Sequence, residues 1–282
     1  MKYFDAHTHV QFVAFDADRE EVFARAAELQ VGMNLVGTQQ DTSKAGVDAA
    51  QGREGVYATI GLHPVHTAKS YHDTKELGEG GKEFTSRGEV FDFEFYKKLG
   101  QDPKVIAVGE CGLDYYRLDE ETKKIQYEAF IAQIELANTL DKPLMLHIRS
   151  GEGGDAYKDA LELLKTHPPN GRAGTKSPGD VHFFAGQWDT AKQFLDLGFT
   201  LSFTGVVTFT HDYDEVVRNT PLDMLLSETD APYITPVPNR GKRNEPMYIP
   251  DIVRKLAEIK GVEEEAMREQ ILLTAQRVFD LS

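Results

Sequence analysis

What most constrains this chain is an alternation: short apolar, β-rich runs recur from one end to the other, each followed by a longer stretch. Candidate strands fall at Tyr3–Ala6, Met33–Gly37, Tyr57–Gly61, Val105–Gly109, Pro143–Leu146, Val181–Phe184, Thr200–Thr204 and Met224–Ser227. Helical patterns lie between them. The clearest is Glu121–Leu140, where Ile125, Phe130, Ile134, Leu136 and Ala137 form an apolar side; others are Asp18–Gln30, Asp155–Thr166, Asp189–Leu197, Pro250–Ile259 and Glu263–Phe279. Strands separated by helices pair in parallel through right-handed crossovers. Eight of them close most simply into a (β/α)8 TIM barrel, a fold of about 250 residues before insertions, and the chain has 282 residues. An open doubly wound sheet is the competitor, but no Gly-x-Gly-x-x-Gly follows an early strand. The expectation is therefore an α/β chain forming one barrel domain over residues 1–282. The breaker-rich segments Lys69–Gly88 and His167–Gly179 are expected as insertions at its rim.

A net charge of −15 argues against sequence-independent coating of nucleic acid, which needs a basic face. It leaves room for an enzyme that grips one or two phosphates in a cleft loaded with divalent cations, because such ions reverse the local field. The single cysteine, Cys111, excludes an intramolecular disulfide and fits a reducing compartment. No signal-peptide pattern opens the sequence, and no apolar run approaches the roughly 18 residues that would span a membrane. The expected setting is cytoplasmic, without membrane or obligate protein partner.

His7 and His9, in Phe4-Asp5-Ala6-His7-Thr8-His9, are two residues apart at the end of the first strand. Side chains at that spacing share a face, and neutral imidazole is the commonest protein metal ligand. The other chemistry-bearing residues also fall at strand ends. His63 ends Ala58–Leu62, Glu110 closes Val105–Gly109, His147 closes Leu144–Leu146, His182 lies early in Val181–Phe184, and Asp230 follows Leu225–Thr229. In a parallel barrel all strand C-termini share the face that carries the active site, so these residues would meet around the axis. Taken singly, each has a plainer reading: a packing histidine, a Glu110 paired with Arg117 or Arg149, an Asp230 capping a turn. Together they form a mixed nitrogen and oxygen set suited to Zn²⁺ or Mn²⁺, whereas Mg²⁺ would want more oxygen and water. The set is too large for one tetrahedral ion; two divalent ions bridged by Glu110 and a water would use it all.

Further motifs accompany these residues: Gly61-Leu62-His63-Pro64, Gly109-Glu110-Cys111-Gly112-Leu113-Asp114-Tyr115, Leu146-His147-Ile148-Arg149, Val181-His182-Phe183-Phe184, Ser202-Phe203-Thr204-Gly205, Glu228-Thr229-Asp230-Ala231-Pro232-Tyr233 and Arg240-Gly241-Lys242-Arg243-Asn244-Glu245-Pro246. In this order they resemble the TatD family of metal-dependent hydrolases, commonly described as deoxyribonucleases within the amidohydrolase superfamily. The resemblance implies that His7, His9 and Asp230 hold a first metal, His147 and His182 a second, and Glu110 bridges them. It implies that His63 lies near the cleft and steers substrate without being a principal ligand, and that Glu228 orients a ligating histidine. Three positions depart from the family pattern: Phe183-Phe184-Ala185 in place of its usual cysteine and serine segment, Ser150-Gly151 where an acidic residue follows the His-x-Arg motif, and Thr274 in place of an asparagine. None removes a ligand.

The resulting expectation is a deoxyribonuclease, exonuclease-like by resemblance, in which a metal-activated water attacks a phosphodiester. Asp230 is the expected general base. Arg149 is expected to contact a phosphate, with Arg117 and the Arg240–Arg243 loop as further candidates. Tyr115, Tyr116 and Tyr233 are candidates for stacking on bases. The same ligands would equally serve an ester hydrolase such as a D-aminoacyl-tRNA deacylase, since activated water attacks a carbonyl as readily as phosphorus. A barrel kept only for protein interaction is the third alternative.

Overall fold

The computed structural model describes residues 1–69, 71–72, 83–116, 120–171 and 177–281. Eight strands form one sheet: β1 (Tyr3–Thr8), β2 (Val31–Val36), β3 (Val56–Ile60), β4 (Val105–Asp114), β5 (Leu144–Arg149), β6 (Gly179–Val181), β7 (Thr200–Phe203) and β8 (Leu225–Ser227). They lie side by side in chain order and every ladder is parallel. Such strands are covered on both faces, which is why they read as continuous apolar runs. β2, β3, β4, β6, β7 and β8 are buried at every position. Beyond the ladders the first and last strands meet: the Asp230 N–H donates to the His7 carbonyl at 2.9 Å and the His9 N–H to the Ala231 carbonyl at 2.8 Å. This is the expected TIM barrel, nearly closed.

The connecting helices are α1 (Arg19–Glu28), α2 (Gln40–Ala50), α3 (Phe93–Leu99), α4 (Glu120–Leu140), α5 (Ala156–Thr166), α6 (Trp188–Asp196), α7 (Asp214–Asn219), α8 (Ile249–Lys260) and α9 (Glu264–Phe279). In α8, Ile249, Ile252, Val253, Leu256, Ala257 and Ile259 are buried, the stripe of an amphipathic helix covering a sheet. The helix stops at Gly261, whose φ of 69° is the left-handed cap that glycine adopts at least cost. α2 and α3 were not anticipated. α2 carries Gly46, Thr42 and Ser43, weak helix formers, and starts where the Thr42 hydroxyl accepts the Gln39 N–H at 2.9 Å. α3 is short and begins with the Asp92 carboxylate accepting the Phe95 N–H at 3.0 Å. Within the first insertion, Tyr71–His72 pairs antiparallel with Phe84–Thr85; residues 70, 73–82 and 172–176 of the two insertions lie outside the described residues.

Several strand ends differ from expectation, and three besides that of β1, which runs on to Thr8 and takes in His7, move a site residue. β4 runs on to Asp114, so Glu110 lies inside it, and β5 runs on to Arg149, so His147 also lies inside. β6 ends at Val181, leaving His182 just beyond it. Register shifts explain how the first of these still faces the site. Val108 pairs with Leu144 but Cys111 with Leu146, so β4 carries an extra residue around Gly109–Glu110. β1 has a similar shift between Asp5 and Thr8. Such bulges re-aim a side chain. Gly109 permits this one: its φ is 151° and a Cβ there would lie 2.3 Å from the Met145 carbonyl oxygen.

Candidate metal centre

At the seam between β1 and β8, His7 and His9 are almost completely buried and their Nε2 atoms lie 3.1 Å apart. The His9 Nδ1 sits 2.8 Å from the Val36 carbonyl. A carbonyl only accepts, so Nδ1 carries the hydrogen and, in the neutral ring, Nε2 presents a lone pair. His7 is neutral at ordinary pH, pushed down to about 4 by burial and then by His182 beside it. The two Nε2 atoms therefore face one point, an arrangement suited to a shared cation. Asp230 Oδ1 lies 3.9 Å from His7 Nε2 and 3.4 Å from His9 Nε2, and Glu110 Oε2 lies 3.4 and 3.9 Å from the same two atoms. The four donor atoms surround one position.

Glu110 turns its other oxygen the opposite way. Its Oε1 is 2.9 Å from His147 Nδ1, 3.3 Å from His63 Nε2 and 3.6 Å from His182 Nε2. Burial pushes the Glu110 carboxyl up, but His63, His7 and His147 outweigh it and hold the group well below the usual carboxylate range. The histidines on this side are backed by carboxylates. His147 Nε2 is 2.9 Å from Asp114 Oδ2, and His182 Nδ1 is 2.9 Å from Glu228 Oε1. Burial favours the neutral ring in both, yet Asp114 and Glu110 raise His147, and Glu228 with Glu110 raises His182 to about 10.

Glu228 is itself fixed from two directions. It accepts the Phe183 N–H at 2.7 Å and the Ser202 hydroxyl at 2.8 Å. Phe183 takes a φ of 44°, a conformation uncommon for a bulky residue; the turn that ends β6 there aims this N–H at Glu228. On the other side, Asp5 accepts the Thr229 N–H at 2.8 Å and its hydroxyl at 2.5 Å, tying β1 to the residue before Asp230. Imidazoles held by carboxylates or carbonyls through their second nitrogen are the usual support of a metal site. The residues present fit a divalent cation.

The sequence profile described as TatD related DNase matches residues 4–280. The uncharacterized metal-dependent hydrolase YabD of Bacillus subtilis (strain 168) is 35% identical over 283 residues, covering 99% of each chain. This chain belongs to the TatD-related family. It is a metal-dependent hydrolase of that family. A protein of Erwinia billingiae (strain Eb661) named 3'-5' ssDNA/RNA exonuclease TatD is 32% identical over 287 residues, again covering 99% of each chain. Among solved structures, the TatD homologue YjjV from Escherichia coli k12 superposes with a TM-score of 0.80 at 24% identity, covering 100% of this chain and 99% of that one; this likeness concerns the fold.

The barrel brings together all six ligand candidates, His7, His9, Glu110, His147, His182 and Asp230, and adds His63. Among the described residues, three sets have donor atoms within 4.8 Å of one another: His7 with His9 and Asp230, His7 with His182 and Glu228, and His63 with Glu110 and His147. The sequence reading paired His147 with His182 and set His63 aside as a steering residue. In the structure those two rings are 6.2 Å apart, and His63 is nearer than His182 to Glu110. Tyr115 requires a correction. It is completely buried, and its hydroxyl donates to Asp159 at 2.8 Å, so it packs against α5 and offers no ring for stacking. Arg149 lies at the end of β5, two residues after His147, with its guanidinium 4.0 Å above the Tyr116 ring. Arg117 lies outside the described residues. Arg243 is held inside the fold by Asp18 at 2.7 Å and Glu245 at 3.0 Å.

Sequence reasoning missed Asp114, Asp5 and Ser202. A signal existed for Asp5, which precedes His7 and His9 at the same two-residue spacing. For Asp114 the spacing from Glu110 was suggestive, but its partner His147 is 33 residues away and nothing local names it.

Proposed function

We propose that the protein is a phosphodiesterase that trims single-stranded nucleic acid, DNA foremost, in which His7, His9 and Asp230 would hold one divalent ion and His147, His182 and His63 a second, with Glu110 between the two sets. The observation that carries the two-ion reading is the split of that carboxylate, with Oε2 facing the His7–His9 pair and Oε1 facing His147, His63 and His182. The nucleic-acid substrate is supported by the family and by the exonuclease name of the Erwinia relative. Zn²⁺ and Mn²⁺ suit the imidazole-rich donor set better than Mg²⁺.

Bound there, divalent ions supply Lewis acidity toward a phosphoryl oxygen and lower the pKa of water. The protein's own groups do the rest. Burial pushes Asp230 up, but His9, His182 and His7 bring it below the usual range, so it is ionised at neutral pH. Its side chain keeps 12% exposure against 4% for Glu110, so of the two carboxylates it is the more open to water. Asp230 is the general base: it takes a proton from the attacking water as the new O–P bond forms and the bond to the leaving oxygen breaks. Arg149, beside His147, binds a non-bridging phosphate oxygen.

The test is an activity screen on protein of measured metal content, with 3′-labelled and 5′-labelled single strands compared with a D-aminoacyl-tRNA. Stepwise shortening of the oligonucleotide from one end is the expected result. Turnover of the aminoacyl ester with the oligonucleotide left intact would overturn it.

A further inference from the structure

Exposed apolar side chains gather on the face that carries the metal centre. Val13 follows β1, Val90 lies between β3 and α3, Phe209 follows β7, and Val237 follows β8; their exposures are 80, 87, 43 and 44%. Phe209 and Val237 belong to one joined structure. The Val237 N–H donates to the Thr208 hydroxyl at 2.9 Å, and that hydroxyl donates to the Gly205 carbonyl at 2.6 Å. Gly205 allows the two loops to meet, since a Cβ there would lie 2.4 Å from the Ile234 carbonyl oxygen. The Arg240 guanidinium sits 3.9 Å above the Phe209 ring and donates to the Thr235 carbonyl at 2.9 Å. Phe209 is thus covered on one face by a fixed cation and remains open elsewhere.

The second loop leads directly to the metal centre. Asp230 begins it, the Tyr233 N–H returns to the Asp230 carbonyl at 2.9 Å, and the Tyr233 ring centroid is 6.4 Å from that of His9. In a chain with a net charge of −15, this stretch presents Arg240 and Lys242 as exposed cations. An open aromatic face beside guanidinium and ammonium groups is complementary to a flat base joined to a phosphate.

We infer that Phe209 and Arg240 form a platform for an unpaired nucleobase adjacent to the phosphate being cleaved. This rests on the nuclease reading and adds the residues that would select single strands over small phosphodiesters. The base stacks on Phe209, while Arg240 holds the ring's other face and meets the neighbouring phosphate. A paired base, already stacked in a duplex, gains nothing from the platform.

The experiment compares the parent with F209A, F209L, F209W and R240A, using a short single-stranded oligodeoxyadenylate, the same strand in a duplex, and bis(p-nitrophenyl) phosphate. Metal content and melting temperature are measured on each variant. F209A is expected to raise the ratio of KM for the single strand to KM for the small ester about tenfold. F209W should restore that ratio, and R240A should raise it to a smaller extent. A ratio unmoved in F209A, or a loss that F209L-type apolar bulk alone repairs as well as F209W does, overturns the platform and leaves the nuclease reading standing. A parent that cleaves the small ester but neither oligonucleotide overturns both.

Discussion

The two halves of the metal centre are built from the same side chains in opposite electrostatic settings. On the β1–β8 side, His9 is held by a main-chain carbonyl and His7 is kept neutral, pushed down to about 4. On the β4–β6 side, Asp114 and Glu228 stand behind His147 and His182, and His182 is raised to about 10. A cation entering the first half meets a His7 ring that burial keeps neutral. One entering the second half competes with the protons that Asp114 and Glu228 favour on His147 and His182, while burial keeps His63 low. Ligand competition with protons is a general feature of metal sites; the raised His147 and His182 make it stronger on their side of Glu110.

The largest effect should come from removing the shared carboxylate. Glu110→Gln is expected to lower turnover on the order of a thousandfold, about 4 kcal/mol, and to deplete metal from both halves. Full metal content by elemental analysis would show that Glu110 does not join them. Asp230→Asn should lose turnover by about a hundred- to ten-thousandfold while retaining most of the metal; oligonucleotide cleavage near the parental rate would remove Asp230 as the base.

Asp114→Asn sharpens the contrast, because it touches only the second half. A ten- to hundredfold weakening of metal affinity is typical for such supporting carboxylates, and only one class of site should show it in a titration. Equal weakening of both classes would mean that the halves are not independent. Calorimetry at pH 7 in buffers of different ionisation enthalpy should then find proton release for one class of site and little for the other. Equal release would contradict the comparison.

The smallest effect concerns the metal-free protein. Burial favours neutral His182, but Glu228 and then Glu110 outweigh it and hold the ring up to about 10. A raised histidine contributes stability that is complete below its unfolded value of about 6.5 and is lost as pH rises through about 10. The melting temperature of metal-free protein should therefore fall by a few degrees across that window, and His182→Gln should flatten the dependence. An unchanged slope in that variant would assign the dependence to other groups.

Much of this was legible without coordinates. Strands buried on both faces leave apolar runs of unmistakable length, and the ligands follow those runs, so both barrel and ring could be read. α2 could not, because its weak helix formers fold as a helix through the Gln39–Thr42 cap and the burial of Val47 and Ala50. Tyr115 was misread because an aromatic beside a site motif looks the same whether it faces a ligand or Asp159. Phe209 was not singled out because only its exposure and the guanidinium above it mark it.

By itself, then, the sequence determined the residue types available for chemistry and their place near the ends of parallel strands, since both follow from composition and period along a local stretch. Tertiary structure alone decided which oxygen of Glu110 faces which histidines, that His63 joins the ring, and that Asp114 and Glu228 divide it electrostatically. Those directions arise from register and bulges between strands distant in sequence, where one extra residue re-aims a side chain.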